Sequence, residues 1–211
     1  MPASGAPKRG YHHGELKAAL VLATDAILRE TGIEGFTLRE AARRAGVSPA
    51  APAHHFGNAA GLLTEVAVHA YGELERYLAE AGTADVSPNA TLRALATAYV
   101  RFALDHPGRF RLMFRKDLIV RSDSRYKEAS SRALAQFAKA STRARGMDFD
   151  VAMRSGEIGG MLADWSTAHG IAQLALEDKF EALPNGSGEA FMAELLPGIL
   201  LARWPDPDAS G

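Results

Sequence analysis

A chain of 211 residues, 47% apolar and 23% charged, carries enough hydrophobic side chains for one or two packed domains. It has no cysteine, which excludes a disulfide scaffold and thiol catalysis and agrees with a cytoplasmic protein. No apolar run approaches a membrane span, residues 1–10 lack the apolar core of a signal peptide, and the net charge of −1 is not that of a generally basic polyanion binder.

Residues 1–10 are rich in Pro, Gly, Ala and Ser, with Lys8 and Arg9. This composition predicts a flexible arm, either a plain terminus or a basic strap for a DNA backbone, with Tyr11, His12 and His13 at its base. Residues 15–30 form an amphipathic helix with Leu16, Ala19, Leu20, Ala23 and Ile27 on one stripe. Gly32 ends it, and Ile33 and Phe36 would plug a small core. Thr37 is a natural N-cap, with Glu40 three residues on to complete a capping box. Leu38, Ala41, Ala42 and Ala45 make an apolar face, Gly46 is a helix stop, and Val47 is an apolar plug. Ser48 is expected as a second N-cap, with Pro49 at the first helical position of a helix reaching about Phe56. Cap, helix, Gly, apolar residue, cap, helix is the pattern of a helix-turn-helix, whose second helix can lie in the major groove of DNA.

That second helix is unusual for a base reader. Its opening residues Pro49, Ala50, Ala51, Pro52 and Ala53 carry no side-chain donor or acceptor. Readout would rest on alanine methyls against thymine methyls, on His54 and His55, and on DNA shape. Residues 1–58 carry a balance of +2 and the remainder −3, the sign expected of an N-terminal DNA reader but a small excess. The adjacent pairs His12–His13 and His54–His55 do not present two nitrogens to one ion from a helix, so no metal site is expected.

Residues 62–81 read as a longer helix buried through Leu62, Leu63, Val66, Ala67, Ala70 and Leu74. A loop over 82–87 follows, then a helix opened by Pro88 and Asn89 and running to Asp105, with Leu92, Leu95, Ala96, Tyr99, Phe102 and Ala103 inside. His106-Pro107-Gly108 is a break before a short aromatic helix over 109–115. Residues 124–144 form another helix, ended by Gly146. One long helix is expected from Asp148 or Asp150 to about Leu176, its Gly156, Gly159, Gly160 and Gly170 allowing close helix packing or a ligand. No strand or Gly-Lys-Ser/Thr accompanies those glycines, so they are not a phosphate loop. Residues 189–204 make the last helix, with Pro197 as a kink. The chain is therefore expected to be all-α with about nine helices: an arm at 1–10, a helix-turn-helix domain at 11–60, a larger helical domain at 61–204 and a loose tail at 205–211.

The stretch from Tyr11 to Leu63 resembles the N-terminal domain of TetR/AcrR-type transcriptional regulators, through Thr37-Leu38-Arg39-Glu40-Ala41-Ala42, Ala45-Gly46-Val47-Ser48, His55-Phe56 and Leu62-Leu63. Tyr11-His12-His13-Gly14 and Trp165…His169-Gly170 are similar to the branch with a WHG-type C-terminal domain. The resemblance implies a ligand-responsive repressor that binds a palindromic operator in double-stranded DNA. It implies a homodimer paired through the last two long helices, and release by a small, mostly apolar effector. DNA contacts would come from Thr37, Arg39, Arg44, Ser48, Pro49, Ala50, Ala51, Ala53, His54, His55 and Asn58. The effector pocket would use Phe102, Phe110, Met113, Phe114, Phe137, Met161, Trp165 and His169. Each of these is also an ordinary core residue when read singly, and His169 is either a satisfied core histidine or the polar group that orients an effector.

Two positions depart from the family pattern. Ala53 stands where a Tyr is most often found, and Ala59 where a phosphate-binding Lys is usual. Both changes delete backbone contacts. They keep open a second reading, a helical dimer with weak or lost DNA affinity that acts through ligand or protein binding. No Ser/His/Asp spacing, nucleophile elbow, zinc motif or dinucleotide fingerprint supports an enzyme, and no cofactor is implied.

Overall fold

Helix α1 (His13–Thr31) turns Leu20 and Ile27 inward, where they meet Ala41 of α2 (Leu38–Arg44) and Leu62 of α4 (Ala59–Ala81) in one buried cluster. Val47 and Phe56 pack against its edge, so the turn and the end of α3 (Ala51–Phe56) are held by the same small core. The computed structural model describes residues 13–82 and 87–206. The expected arm at 1–10, Tyr11 and His12, the tip of the loop after α4, and residues 207–211 of the tail lie outside the described residues.

The helix ends follow local chemistry. The Thr37 hydroxyl accepts the Glu40 N–H at 3.0 Å. At the other end of α2 the Val47 N–H reaches back to the Ala42 carbonyl at 3.0 Å and the Gly46 N–H to that of Arg43 at 3.2 Å, with Gly46 at φ +67°. This paired closure needs a left-handed residue, which glycine supplies without a Cβ clash. The expected cap at Ser48 is not formed. Residues 49–50 make a turn, in which the Ala51 N–H bonds the Ser48 carbonyl at 3.0 Å, and α3 starts two residues late with Ala50 at its N-cap and no side-chain cap. Pro52 lies in the first turn of α3, where its missing N–H would have had no helical partner anyway. The Glu40 carboxylate is bonded to Arg43 and Arg44, so the second half of the expected capping box is spent on those side chains.

The larger domain is built from α4, α5 (Pro88–Asp105), α6 (Pro107–Met113), α7 (Ser124–Ala144), α8 (Phe149–Ser155), α9 (Gly159–Leu176) and α10 over 188–203. Among the described residues this makes ten helices and no strand, one helix more than expected. The extra one comes from the stretch expected as a single helix from Asp148. Asp148 does cap it, accepting the Val151 N–H at 3.0 Å, but Gly156 at φ +76° ends α8 and the chain restarts as α9. The last helix is also irregular. A turn at Gly188–Ala190 leads into a π segment at Phe191–Leu195 and then Leu196–Arg203. Pro197 cannot donate to the carbonyl four residues back, and the wide turn immediately before it is where the helix absorbs that loss.

Helices α4, α5, α7 and α9 pack around Tyr99, Phe102, Phe110 and Phe137, each at most 2% exposed. Burying a side chain of this size stabilises by about 2 kcal/mol. A separate cluster of Leu28, Leu63, Val66, Ala67, Leu112 and Ile119 joins α1, α4 and α6, and so ties the helix-turn-helix to the larger domain. Gly108 makes this joint close: a Cβ there would stand 2.4 Å from the Leu28 carbonyl oxygen of α1. The Arg109 guanidinium clamps the same joint. Its Nη2 donates to Asp25 of α1 at 2.6 Å, and its other nitrogens bond Asp25 and Glu73 of α4. No helix among the described residues is long and apolar enough to cross a membrane.

Candidate nucleic-acid interface and ligand cavity

The turn and α3 form the outward face of the N-terminal unit. Ser48, Pro49, Ala50, Ala53 and His54 are exposed, Ala51 and His55 are half-buried, and Pro52 is buried beneath them. The His54 and His55 rings meet edge to face, 5.1 Å between centroids. This face offers mainly methyl groups and imidazoles, as the sequence implied.

Three other residues expected at the interface have structural partners. Thr37 caps α2. Asn58 caps α4, its side-chain oxygen accepting the Gly61 N–H at 3.0 Å. Arg44 bridges Glu40 at 2.7 Å and Glu30 at 2.6 Å. Arg43 is likewise bound to Glu40, at 2.6 Å. Arg39 is exposed in the first turn of α2 and has no ion-pair partner among the described residues. The Lys17 ammonium of α1 lies 5.8 Å from the centre of the Phe56 ring, which places a cation beside the end of α3. The Glu40 carboxyl is held down at about 2, first by the hydrogen bond from Arg43 and then by that from Arg44. Among the described residues no group of His, Asp and Glu side chains is arranged to hold a metal ion.

The larger domain encloses a cavity of about 310 Å³, within the usual range of small-molecule sites. Met113, Phe114, Phe137 and Trp165, four of the eight residues expected to line an effector pocket, stand on its wall. Phe102, Phe110, Met161 and His169 do not. Phe102 and Phe110 are wholly buried in the core behind it, and Met161 is 6% exposed away from it. His169 is packed edge-on to Phe114, 4.5 Å between centroids, and stacked on Phe110. Its Nδ1 shares a 3.0 Å hydrogen bond with the Tyr99 hydroxyl. Burial pushes His169 down and Tyr99 up from their ordinary values, the latter against a hydrogen bond with Trp165, so the pair is neutral. His169 thus sits one layer back, bonded to Tyr99, which does reach the wall.

The wall residues that local pattern did not single out are Tyr71, Leu74 and Leu78 of α4, Tyr99 of α5, Lys116 after α6, and Tyr126, Ser130, Ser131, Ala133 and Leu134 of α7. Several were legible as inward-facing stripes. Nothing in a stripe distinguishes a cavity from close packing. The Tyr71 and Tyr126 hydroxyls both donate to the Met113 carbonyl, at 3.4 Å and 3.1 Å. Burial raises the Tyr71 hydroxyl well above its usual range, so it remains a donor.

Asp164 of α9 is completely buried. Its Oδ2 accepts the Ser141 hydroxyl at 2.6 Å and Arg145 at 2.7 Å, while Oδ1 accepts Arg203 at 2.9 Å and the Trp204 indole at 3.1 Å. Desolvation alone would raise its carboxyl, but the hydrogen bonds from Arg145, Ser141 and Trp204 outweigh it and leave it below the ordinary aspartate value. One carboxylate thereby pins α9 to the end of α7 and to the C-terminal end of α10.

Comparison with known proteins agrees with this arrangement. The model described as "Bacterial regulatory proteins, tetR family" matches residues 20–66, and that described as "Tetracyclin repressor-like, C-terminal domain" matches residues 92–196. The chain belongs to the TetR family of transcriptional regulators. A solved protein of unknown function from Rhodococcus sp. RHA1 is 30% identical, with a TM-score of 0.71, over 93% of this chain and 97% of its own. A possible TetR family transcriptional regulator from Streptomyces coelicolor shares the fold at 20% identity and a TM-score of 0.57, over 89% of this chain and 92% of its own. AibR, solved in complex with isovaleryl coenzyme A and operator DNA, does so at 14% identity and a TM-score of 0.61, over 90% of this chain and 99% of its own. No protein of curated function matches by sequence. In this TetR-family regulator the matched N-terminal segment contains the helix-turn-helix described above, and the matched C-terminal segment contains part of the cavity wall.

Proposed function

We propose that this regulator is a ligand-responsive repressor that binds a palindromic operator as a homodimer and is released when a small molecule fills the cavity. The observation that carries this reading is the double attachment of α6. Its last residues, Met113 and the following Phe114, are cavity wall, while its first turn, through Gly108 and Arg109, is bound to α1 of the DNA-binding unit. An occupant that prefers a shifted α6 would move the helix-turn-helix, and only by as much as its affinity differs between the two arrangements.

Dimerisation through α9 and α10 is supported by the apolar side chains they leave outside: Leu162, Leu174 and Leu201 are each at least 40% exposed. Pairing there would set two copies of α3 for successive major grooves, about 34–36 Å apart. AibR, with its operator DNA, is a precedent of the same fold.

A second reading, a helical dimer with weak DNA affinity acting through its ligand or a protein, is favoured by the short α3, by its alanine face, and by the capture of Arg43 and Arg44 by acids. Selection from random duplex DNA separates the two. Enrichment of a palindrome with half-sites about one helical turn apart supports the repressor. Failure to enrich any sequence at low salt removes it and leaves the second reading.

A further inference from the structure

We infer that the cavity takes a monocarboxylic acid with a compact apolar body, its carboxylate held at the mouth by Lys116 and Ser131. The inference rests on the effector reading above and adds the chemical class of the ligand.

It comes from accounting for each polar group on the wall. The Tyr71 and Tyr126 hydroxyls are committed to the Met113 carbonyl, and the Tyr99 hydroxyl to His169 and to the indole of Trp165. The Ser130 hydroxyl donates to the Lys127 carbonyl at 3.0 Å. Two groups remain without a side-chain partner among the described residues: the Lys116 ammonium and the Ser131 hydroxyl, both on exposed residues. The neighbouring Asp117, the nearest carboxylate in sequence, is engaged by Arg115 at 2.8 Å. Among the described residues no Asp or Glu lines the cavity. The wall therefore combines a large apolar surface with one uncompensated cation and a hydroxyl donor at its edge. An apolar ligand with a single anionic end satisfies both, and an ammonium–carboxylate contact is stronger than one to a neutral oxygen. An amine would meet like charge at Lys116, and a ligand charged at both ends would bury its second charge among Leu74, Leu78 and Phe137.

Size narrows the class further. A cavity of about 310 Å³ stands at the small end of the usual range for small-molecule sites, which suits a body of medium alkyl or single-ring aryl size. Octanoate and 3-phenylpropionate are the two probes that separate these sources of the same headgroup.

The test is calorimetric titration of the intact protein with each acid and with its amide, octanamide and 3-phenylpropanamide, while the part of the tryptophan emission that Trp165→Phe removes reports occupancy of the wall. At least one acid is expected to bind about tenfold more tightly than its amide and to change the Trp165 emission. Lys116→Met, at an exposed position, is expected to abolish the preference, so that the acid and its amide bind alike. Equal binding of acid and amide, an acid preference that survives Lys116→Met, or acid binding without change at Trp165 overturns the assignment. Neutral octanol and indole then judge the underlying reading. If they bind with a change at Trp165, the effector cavity stands and only the acid class is wrong. If no probe binds, the effector reading falls as well.

Discussion

The Tyr126 hydroxyl donates to the Met113 carbonyl across 3.1 Å. Met113 is the last residue of α6, so this carbonyl has no partner within its own helix, and Tyr71 reaches the same oxygen at 3.4 Å. Two cavity tyrosines, from α4 and α7, thus cap the helix that packs on α1. Tyr126→Phe keeps the ring and removes the donor. It is expected to lower stability in urea unfolding by about 1 kcal/mol. Tyr71→Phe is expected to cost less, because its bond is at the long limit.

Glu40 masks two of the arginines nearest the DNA-binding face. Its carboxyl lies near 2, so it stays ionised across the physiological range and holds Arg43 and Arg44 throughout. Glu40→Gln is expected to free Arg43 for phosphate and to leave Arg44 held by Glu30. Affinity for duplex DNA at low salt should rise, and the slope of log affinity against log salt should steepen by about 1. A slope identical to that of the parent protein would show that Arg43 does not reach the backbone.

Asp164 makes four hydrogen bonds from a fully buried position, to Ser141, Arg145, Arg203 and Trp204. Both arginines are partly exposed, at 35% and 38%, so water recovers some of what their loss of a partner costs. Asp164→Asn is therefore expected to destabilise by about 2 kcal/mol rather than the larger loss of a fully buried pair. The carboxyl is lowered in the folded protein, so its contribution is complete above the ordinary aspartate value of about 4 and is lost as the pH falls below it. Urea midpoints measured from about pH 7 down to about pH 3 should fall less steeply for Asp164→Asn than for the parent.

Thr37 and Ser48 look equivalent as caps but differ in the fold. Thr37→Ala removes the acceptor of the Glu40 N–H and is expected to cost about 1 kcal/mol. Ser48→Ala removes no cap and is expected to stay within about 0.5 kcal/mol of the parent. Equal losses in thermal unfolding of the two variants would mean that Ser48 caps α3 in solution.

That pair shows where local pattern stops being informative. Both serve as cap signals for the same reason, a short hydroxyl side chain before an apolar run. At Ser48 the next residues, Pro49 and Ala50, are drawn into a turn, and the helix begins after them. The second half of the capping box failed in a similar way. Glu40 could reach back to Thr37 or forward to Arg43 and Arg44, and the nearby guanidinium groups took it. The cavity was half legible: Met113, Phe114, Phe137 and Trp165 were found, while His169 and Phe110 lie one layer behind.

The linear order of residues was enough to establish an all-helical chain with a helix-turn-helix near its start, because caps, stops and 3.6-residue stripes act over a few neighbours and survive in any tertiary setting. It was also enough for the glycine at position 46, whose φ of +67° only its lack of a side chain makes cheap. The pairing of Arg109 with Asp25, the four partners of Asp164, and the open space before Tyr71 and Leu134 join residues far apart in the chain. Such contacts depend on how whole helices cross, and any inward stripe fits close packing and a ligand space equally well until the opposing helix is in place.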